Sequence, residues 1–456
     1  MSGQPLPVIV SLGGINGAGR VSGHHAVARM GYEALDKNQQ QRTLASLATM
    51  MALDSVQGHE QYILDHTLIR RIELQHFDVD SVLWNQRFPT DSNGHPVNFD
   101  IERRHLPDDI PPSWKVKATS VTHVNVNIQG HQEFLLPTNR EFEVKAAGQL
   151  PTGYEPGTLY PSRSHPRGLQ MTVCAASDAL GNLGLDWQTI QQRVPVDMIS
   201  VYAGSAMGQL DSAGAGGMLK ARYNGKRVTS KYCPLSLAEM PADFINAYVL
   251  GAMGSTGATL GACASFLYNL KNGIADIRAG RARVAFVGAA EAPINAEVME
   301  GYAAMGALAT DKELRQLDGL GDGDALDHRR ACRPFADNCG FTIAESAQMV
   351  VLMDDALALE LGAHAAIDSS DPDCAGKVME ATGGRGGDVV IEASGSTAAA
   401  ELAPFVTKAY SARIIQFGVV PEPARYTFMH MHDKGQTLLS YGSFKDRTDR
   451  FSFERA

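Results

Sequence analysis

A chain of 456 residues with formal charge −10 and a pI near 5.8 can bury a large core and is expected to hold two or more domains. The acidic balance points away from a nucleic-acid surface, and no run reaches the ~18 apolar residues of a membrane helix. Six scattered cysteines without a C-x-x-C pair argue against a disulfide framework or zinc ribbon; with no basic-then-apolar leader, the reducing cytoplasm is the expected location.

Residues 7–20 read as a strand and a glycine-rich turn. The turn, Gly13-Gly-Ile-Asn-Gly-Ala-Gly19, lacks the G-x-G-x-x-G spacing of a dinucleotide loop. From about 40 to 150 the character shifts to an irregular polar insertion. The nine histidines from His24 to His131 show no ligand spacing and are expected at surfaces or turns. Residues 151–166 form a connection rich in Pro, Gly and Ser. Leu169, Val173, Ala176, Leu180 and Leu183 then recur at helical spacing, which places Cys174 mid-helix as a structural residue. Residues 211–217 read as a mobile glycine-rich loop, 242–250 as a helix, and 311–330 as a flexible polar loop. That last loop does not keep the register of a calcium-binding EF-hand, since Asp318, Asp322 and Asp324 are misplaced for it. Residues 341–353 lead into a buried strand, and 354–360 form a short helix. Near the end, strands at 388–392 and 413–417 flank a helix at 397–407, a β-α-β unit and so a parallel pair.

The stretch from Met253 to Val287 organises the rest. Small residues crowd in before Cys263. Phe266, Leu267, Leu270, Ile274 and Ile277 then repeat at steps of three and four, Gly280 stands where a helix stops, and Arg283 to Gly288 reads as a buried strand. Cys263 is thus expected at a tight turn that opens a helix. Such a position favours the thiolate and offers backbone N–H groups to the oxyanion of an acyl-transfer intermediate. Spacing alone leaves a small cysteine packed as an apolar residue slightly ahead.

Gly261-Ala-Cys263-Ala-Ser265, then Phe286-Val-Gly-Ala-Ala-Glu291-Ala-Pro293 and Gly301-Tyr-Ala-Ala-Met-Gly-Ala-Leu-Ala-Thr310, resemble the nucleophile region of β-ketoacyl synthases, the condensing enzymes of fatty-acid and polyketide synthesis. Val8 to Gly17 and Met198 to Gly208 are similar to two of the family's strand-and-turn segments. Arg333-Pro-Phe335 through Gly340-Phe341, then Glu345 and Met349-Val-Val-Leu-Met353, is similar to the close of its first half, though Asp337 to Gly340 is one residue short of the usual pattern. The resemblance implies a thiolase-like layered α/β fold and Cys263 as the acyl-accepting nucleophile. Phe341 and Glu345 fall at gating-type and acidic substrate-site positions. It also implies an acyl carrier protein as partner, bearing acyl and malonyl thioesters, and a homodimer. Arg278, Arg281 and Arg283, or Lys220, Arg222, Lys226, Arg227 and Lys231, could supply a basic docking patch. Each of these is more often a solvated surface residue.

The resemblance ends at Leu361-Gly362-Ala363. The family's second half supplies two histidines in His-Gly-Thr and Gly-His motifs. The four histidines after Cys263 (His328, His364, His430 and His432) stand in neither. Decarboxylative condensation is therefore expected to be impaired. Glu360 to Ser370, Gly383 to Gly395 and Ala412 to Val420 instead resemble the nucleotide domain of medium-chain alcohol dehydrogenases, so a partial Rossmann-like segment is expected. The expected organisation is residues 1–361, with the insertion at roughly 40–150, followed by 362–456, joined by fusion of two gene fragments. The glycine loop, ribose carboxylate and zinc ligands of a dehydrogenase are missing, and His430-Met-His432 lacks a third ligand; no cofactor and no metal are expected. The principal reading is a β-ketoacyl synthase-type acyltransferase. Its rivals are an NAD(P)-linked hybrid and a catalytically inactive interaction protein.

Overall fold

A computed structural model describes residues 4–89, 95–321, 323–333, 336–363, 365–369, 371–392, 396–410, 412–416 and 424–440. In chain order the strands are β1 (Pro7–Asn16), β2 (Gly19–Arg20), β3 (Ile69–Arg71), β4 (Val82–Pro89), β5 (Val97–Glu102), β6 (Trp114–Ala118), β7 (His123–Ile128) and β8 (Glu133–Arg140). They continue with β9 (Ala146–Gly148), β10 (Ile199–Gly204), β11 (Thr256–Gly257), β12 (Val284–Glu291), β13 (Ser346–Asp354), β14 (Val389–Glu392), β15 (Arg413–Gln416) and β16 (Thr437–Ser440).

The central sheet runs β11-β10-β12-β13-β1-β2. β10 lies parallel to β11 and β12, while β13 is antiparallel to both β12 and β1. Its strands are apolar on both sides because helices cover both. Phe286, Met349, Val351 and Met353 face a core closed by the Arg167–Asn182 and Met240–Ile245 helices. Ala285, Val287, Val350 and Leu352 point the other way, onto Phe266, Leu270, Ile274 and Ile277 of the Ser265–Arg278 helix. Period-2 strands meeting period-3.6 helices thus build an α/β/α sandwich. The Arg167–Asn182 helix lies so close to β1 that a Cβ on Gly13 would fall 2.1 Å from the Ala179 amide nitrogen, so glycine is required there.

Several loop expectations are corrected. The insertion is ordered: β4 and β8 form an antiparallel ribbon leading to a three-stranded sheet, β5-β7-β6, cored by Val124, Val126 and Ile128. Residues 215–217, the end of the expected glycine-rich loop, begin a helix, Ala215–Ala221. The polar stretch after Thr310 is also helical (Asp311–Asp318). Thr310 and Glu313 form a capping box, and Gly319 ends the helix in the left-handed region. Asp318 then binds Arg330 and Arg333, tying down the segment that follows.

At the C-terminal end, β14, β15 and β16 are parallel, with the Thr397–Val406 helix between the first two. Asp322, Pro334, Phe335, His364, Ser370, 393–395 and 417–420, which belong to stretches singled out above, lie outside the described residues.

Candidate active site

Cys263 stands two residues before the Ser265–Arg278 helix and is exposed. The turn that presents it is strained, because Ala262 sits at φ 50°, left-handed backbone that a residue with a Cβ enters only at a cost. Ser265 holds the turn from both sides: its Oγ donates to Ala262 O at 2.7 Å and accepts from Gly261 N at 3.0 Å. Deeper in, fully buried Asn269 accepts from Thr259 N at 2.8 Å and donates to Gly288 O of β12 at 3.0 Å. Asp276 fixes the far end of the same helix, accepting from Ser200 Oγ at 2.8 Å and Tyr202 OH at 2.7 Å. One helix thereby carries the cysteine at its start and is bolted to the sheet by buried polar groups.

A helix start leaves amides without intrahelical acceptors. Here Ala264 N and Ser265 N donate to Gly261 O and Ala262 O, and Tyr268 N to Ala264 O. That leaves the amides of Phe266 and Leu267 without an acceptor among the described bonds. They lie in the first turn of the helix after the sulfur. Leu260, Leu267 and Tyr268, each a little over two-fifths exposed, give this end of the helix an apolar surface.

Removing Asn269 should loosen this arrangement. Asn269→Leu would remove both hydrogen bonds, at about 1–3 kcal/mol. Chemical denaturation of the variant is expected to show that loss, together with slower alkylation of Cys263.

Glu345 and Phe341 lie elsewhere, and no described hydrogen bond or ion pair joins either to Cys263. Glu345, 1% exposed, sits just before β13 and binds Arg167 in a fork, Nε to Oε2 at 2.7 Å and NH2 to Oε1 at 3.0 Å. Leu150 N donates to it at 2.8 Å. Burial pushes its carboxyl pKa up, but Arg167, His76 and the Leu150 amide outweigh that and hold it below the usual carboxylate value. Phe341 is half-exposed, and its backbone bonds to Ala307 and Ala309.

His76 corrects the expectation of surface histidines. Its side chain is 6% exposed and its Nε2 is 3.9 Å from Glu345 Oε1. Burial, aided by Arg167, lowers its pKa against the pull of Glu345. A depressed histidine pKa means the unfolded chain takes up the proton first. Stability should therefore fall as pH drops below the ordinary imidazole value of about 6.5. Glu345, depressed in the same sense, should add a second loss below the ordinary carboxylate range. Denaturation midpoints across pH 4–8 are expected to lose part of the upper limb in His76→Phe.

Cys174 lies mid-helix and buried, its thiol pKa raised by burial. His328 Nε2 is 3.0 Å from Asp311, and His430 Nε2 is 3.2 Å from Pro404 O. The described residues contain no group of three or more His, Cys, Asp or Glu able to hold a metal. Among them, no helix is long and apolar enough to cross a membrane.

This architecture is that of a thiolase-like layered α/β protein. Residues 162–358 match the model of the β-ketoacyl synthase N-terminal domain, and 349–452 that of the zinc-binding dehydrogenases. The chain is 48% identical over 384 residues to the β-ketoacyl-[acyl-carrier-protein] synthase FabY of Pseudomonas aeruginosa, covering 79% of this chain and 60% of that protein. Against the crystal structure of the ketosynthase FabY from P. aeruginosa the TM-score is 0.75 at 44% identity, over 86% of this chain and 68% of the other. A 3-oxoacyl-[acyl-carrier-protein] synthase 2 of Staphylococcus aureus is 27% identical over 192 residues, 42% of this chain and 43% of that protein. The chain belongs to the β-ketoacyl synthase family, and at its C-terminal end it carries a dehydrogenase-like segment. It spans about three-fifths of the length of the full FabY relative.

Proposed function

We propose that this chain catalyses the acyl-transfer half of a β-ketoacyl synthase reaction, with Cys263 as nucleophile. The Cys263 thiolate attacks the carbonyl of an acyl-carrier thioester. The Phe266 and Leu267 amides bear the oxyanion, the C–S bond to the carrier breaks, and the carrier leaves as its thiolate to take a proton from water. The acyl chain then lies along Leu260, Leu267 and Tyr268. The observation that carries this reading is the exposed sulfur held on a strained turn at a helix start.

The partner is an acyl carrier protein, the protein written into the names of the curated synthase relatives. Lys220, Arg222, Lys226, Arg227 and Lys231 provide cationic side chains for its acidic surface, and the working unit is a homodimer. Phe341 and Glu345 are assigned to substrate binding, Glu345 by fixing its segment against Arg167. The synthase-like unit is 1–361 and the dehydrogenase-like unit 362–456.

Decarboxylative condensation needs donors aimed at an enolate, and no residue of this chain is assigned that task. Malonyl-carrier condensation by the purified chain alone is therefore expected to be weak or absent. Incubation with acyl-carrier thioesters of graded length, followed by mass mapping of tryptic peptides, tests the acyl step. An acyl adduct on the Cys263 peptide is expected. Absence of any adduct at every length, or an adduct confined to another cysteine, overturns the proposal.

A further inference from the structure

A hollow lies on the opposite face of the sheet from the Ser265–Arg278 helix, against the Arg167–Asn182 helix, and Cys263 does not line it. Its volume is about 840 Å³, within the ~300–1,000 Å³ typical of small-molecule sites. Along the helix, Cys174, Ser177 and Gly181 follow at steps of three and four, and their small side chains leave the space open. The floor is apolar and buried: Ile15, Val173 and Cys174. Leu159, 64% exposed, and Tyr248, 45% exposed, stand at the rim with apolar surface facing water.

The two ends differ in chemistry. At one end Tyr160 and Tyr248 pack edge to face with centroids 5.1 Å apart, and both hydroxyls bond the His165 ring, at 3.1 and 3.3 Å. That end is a rigid aromatic wall. At the other end Arg20 is exposed; among the described residues it makes no ion pair, and its hydrogen-bond partner is His25 at 3.4 Å. The neighbouring carboxylate, Asp178, also lines the groove but forms no ion pair with it among the described residues. Asp178 is already engaged by Gly14 N at 2.9 Å, Ser22 N at 3.0 Å and Ser22 Oγ at 2.5 Å.

We propose that this groove binds a single-chain anionic amphiphile, a fatty carboxylate, with its head on Arg20 and its aliphatic tail along Ile15, Val173 and Cys174 towards the tyrosine wall. Charge complementarity selects the head and the apolar floor selects the tail. This is a site apart from the one that carries acyl groups on Cys263, and it does not depend on that assignment.

Isothermal titration of the full chain with dodecanoate below its micelle concentration tests the proposal, alongside dodecanol and dodecyltrimethylammonium. Dodecanoate should bind about tenfold more tightly than dodecanol, the gain expected of one charge-assisted hydrogen bond, and the cationic chain should bind worst. Arg20→Ala should remove that preference. The double variant Ser177→Leu/Gly181→Leu should abolish binding while still folding. Both positions are exposed on a helix, a Cβ at Gly181 meets nothing within 4 Å, and leucine is the better helix former. Circular dichroism and unchanged alkylation of Cys263 confirm the fold. The proposal is overturned by any of three results: no saturable binding of dodecanoate, equal binding of dodecanol, or undiminished binding by the folded double variant.

Discussion

Cys263→Ala is expected to reduce acyl uptake from carrier thioesters to background, a loss of about a thousandfold or more, with no change in fold. The side chain is exposed, so truncation removes no core packing, and stability should hold to within about 0.5 kcal/mol. The elbow is built by Ser265, Asn269 and the Ala262 backbone, not by the sulfur, so the turn survives the substitution. Cys263→Ser is expected to fail as well, because its hydroxyl stays protonated and no described hydrogen bond joins this position to a base that could activate it. Intact-mass measurement after incubation with an acyl-carrier thioester reads both outcomes. An adduct persisting on Cys263→Ala would place the acceptor elsewhere.

Arg167→Ala is expected to be strongly destabilising. It leaves the Glu345 carboxylate almost wholly buried, with only the Leu150 amide and a histidine beside it. Breaking a buried pair from one side costs about 3–5 kcal/mol. The lower end applies here, because one-fifth of the Arg167 side chain reaches solvent and water can enter. Adding Glu345→Gln should recover part of the loss by removing the stranded charge. Urea denaturation of the single and double variants checks both. A single variant as stable as the parent would mean that Glu345 takes up a proton at little cost.

The turn at Cys263 was legible because its signal is local. A run of small residues before a three-four apolar pattern specifies a close turn opening a helix, and Cys263 falls in it. The central sheet was legible for the same reason, since strands covered on both sides are continuous apolar runs. The partners of Glu345 were not. Arg167 reaches Glu345 across 178 positions, and His76 reaches it from the insertion; nothing near Glu345 in the chain announces either.

Two misread segments did carry a usable signal. Thr310 and Glu313 have capping-box spacing, followed by Leu314 and a terminating Gly319, yet the aspartates and glycines beyond made the stretch look like a loop. In the insertion, Val124, Val126 and Ile128 alternate as a half-buried strand does, masked by the Pro and Asp breaks around them. The helix at Ala215–Ala221 is a different case: glycines at 214, 216 and 217 oppose it locally, and tertiary packing prevails.

The claim that matters most is that one sulfur among six is set apart by its turn. Brief treatment of the folded chain with iodoacetamide below stoichiometry, followed by peptide mapping, compares Cys263 with Cys233 and Cys332, which are also exposed. Selective alkylation is expected at Cys263, suppressed by prior incubation with an acyl-carrier thioester. Equal labelling of all three cysteines, unchanged by the thioester, would contradict it.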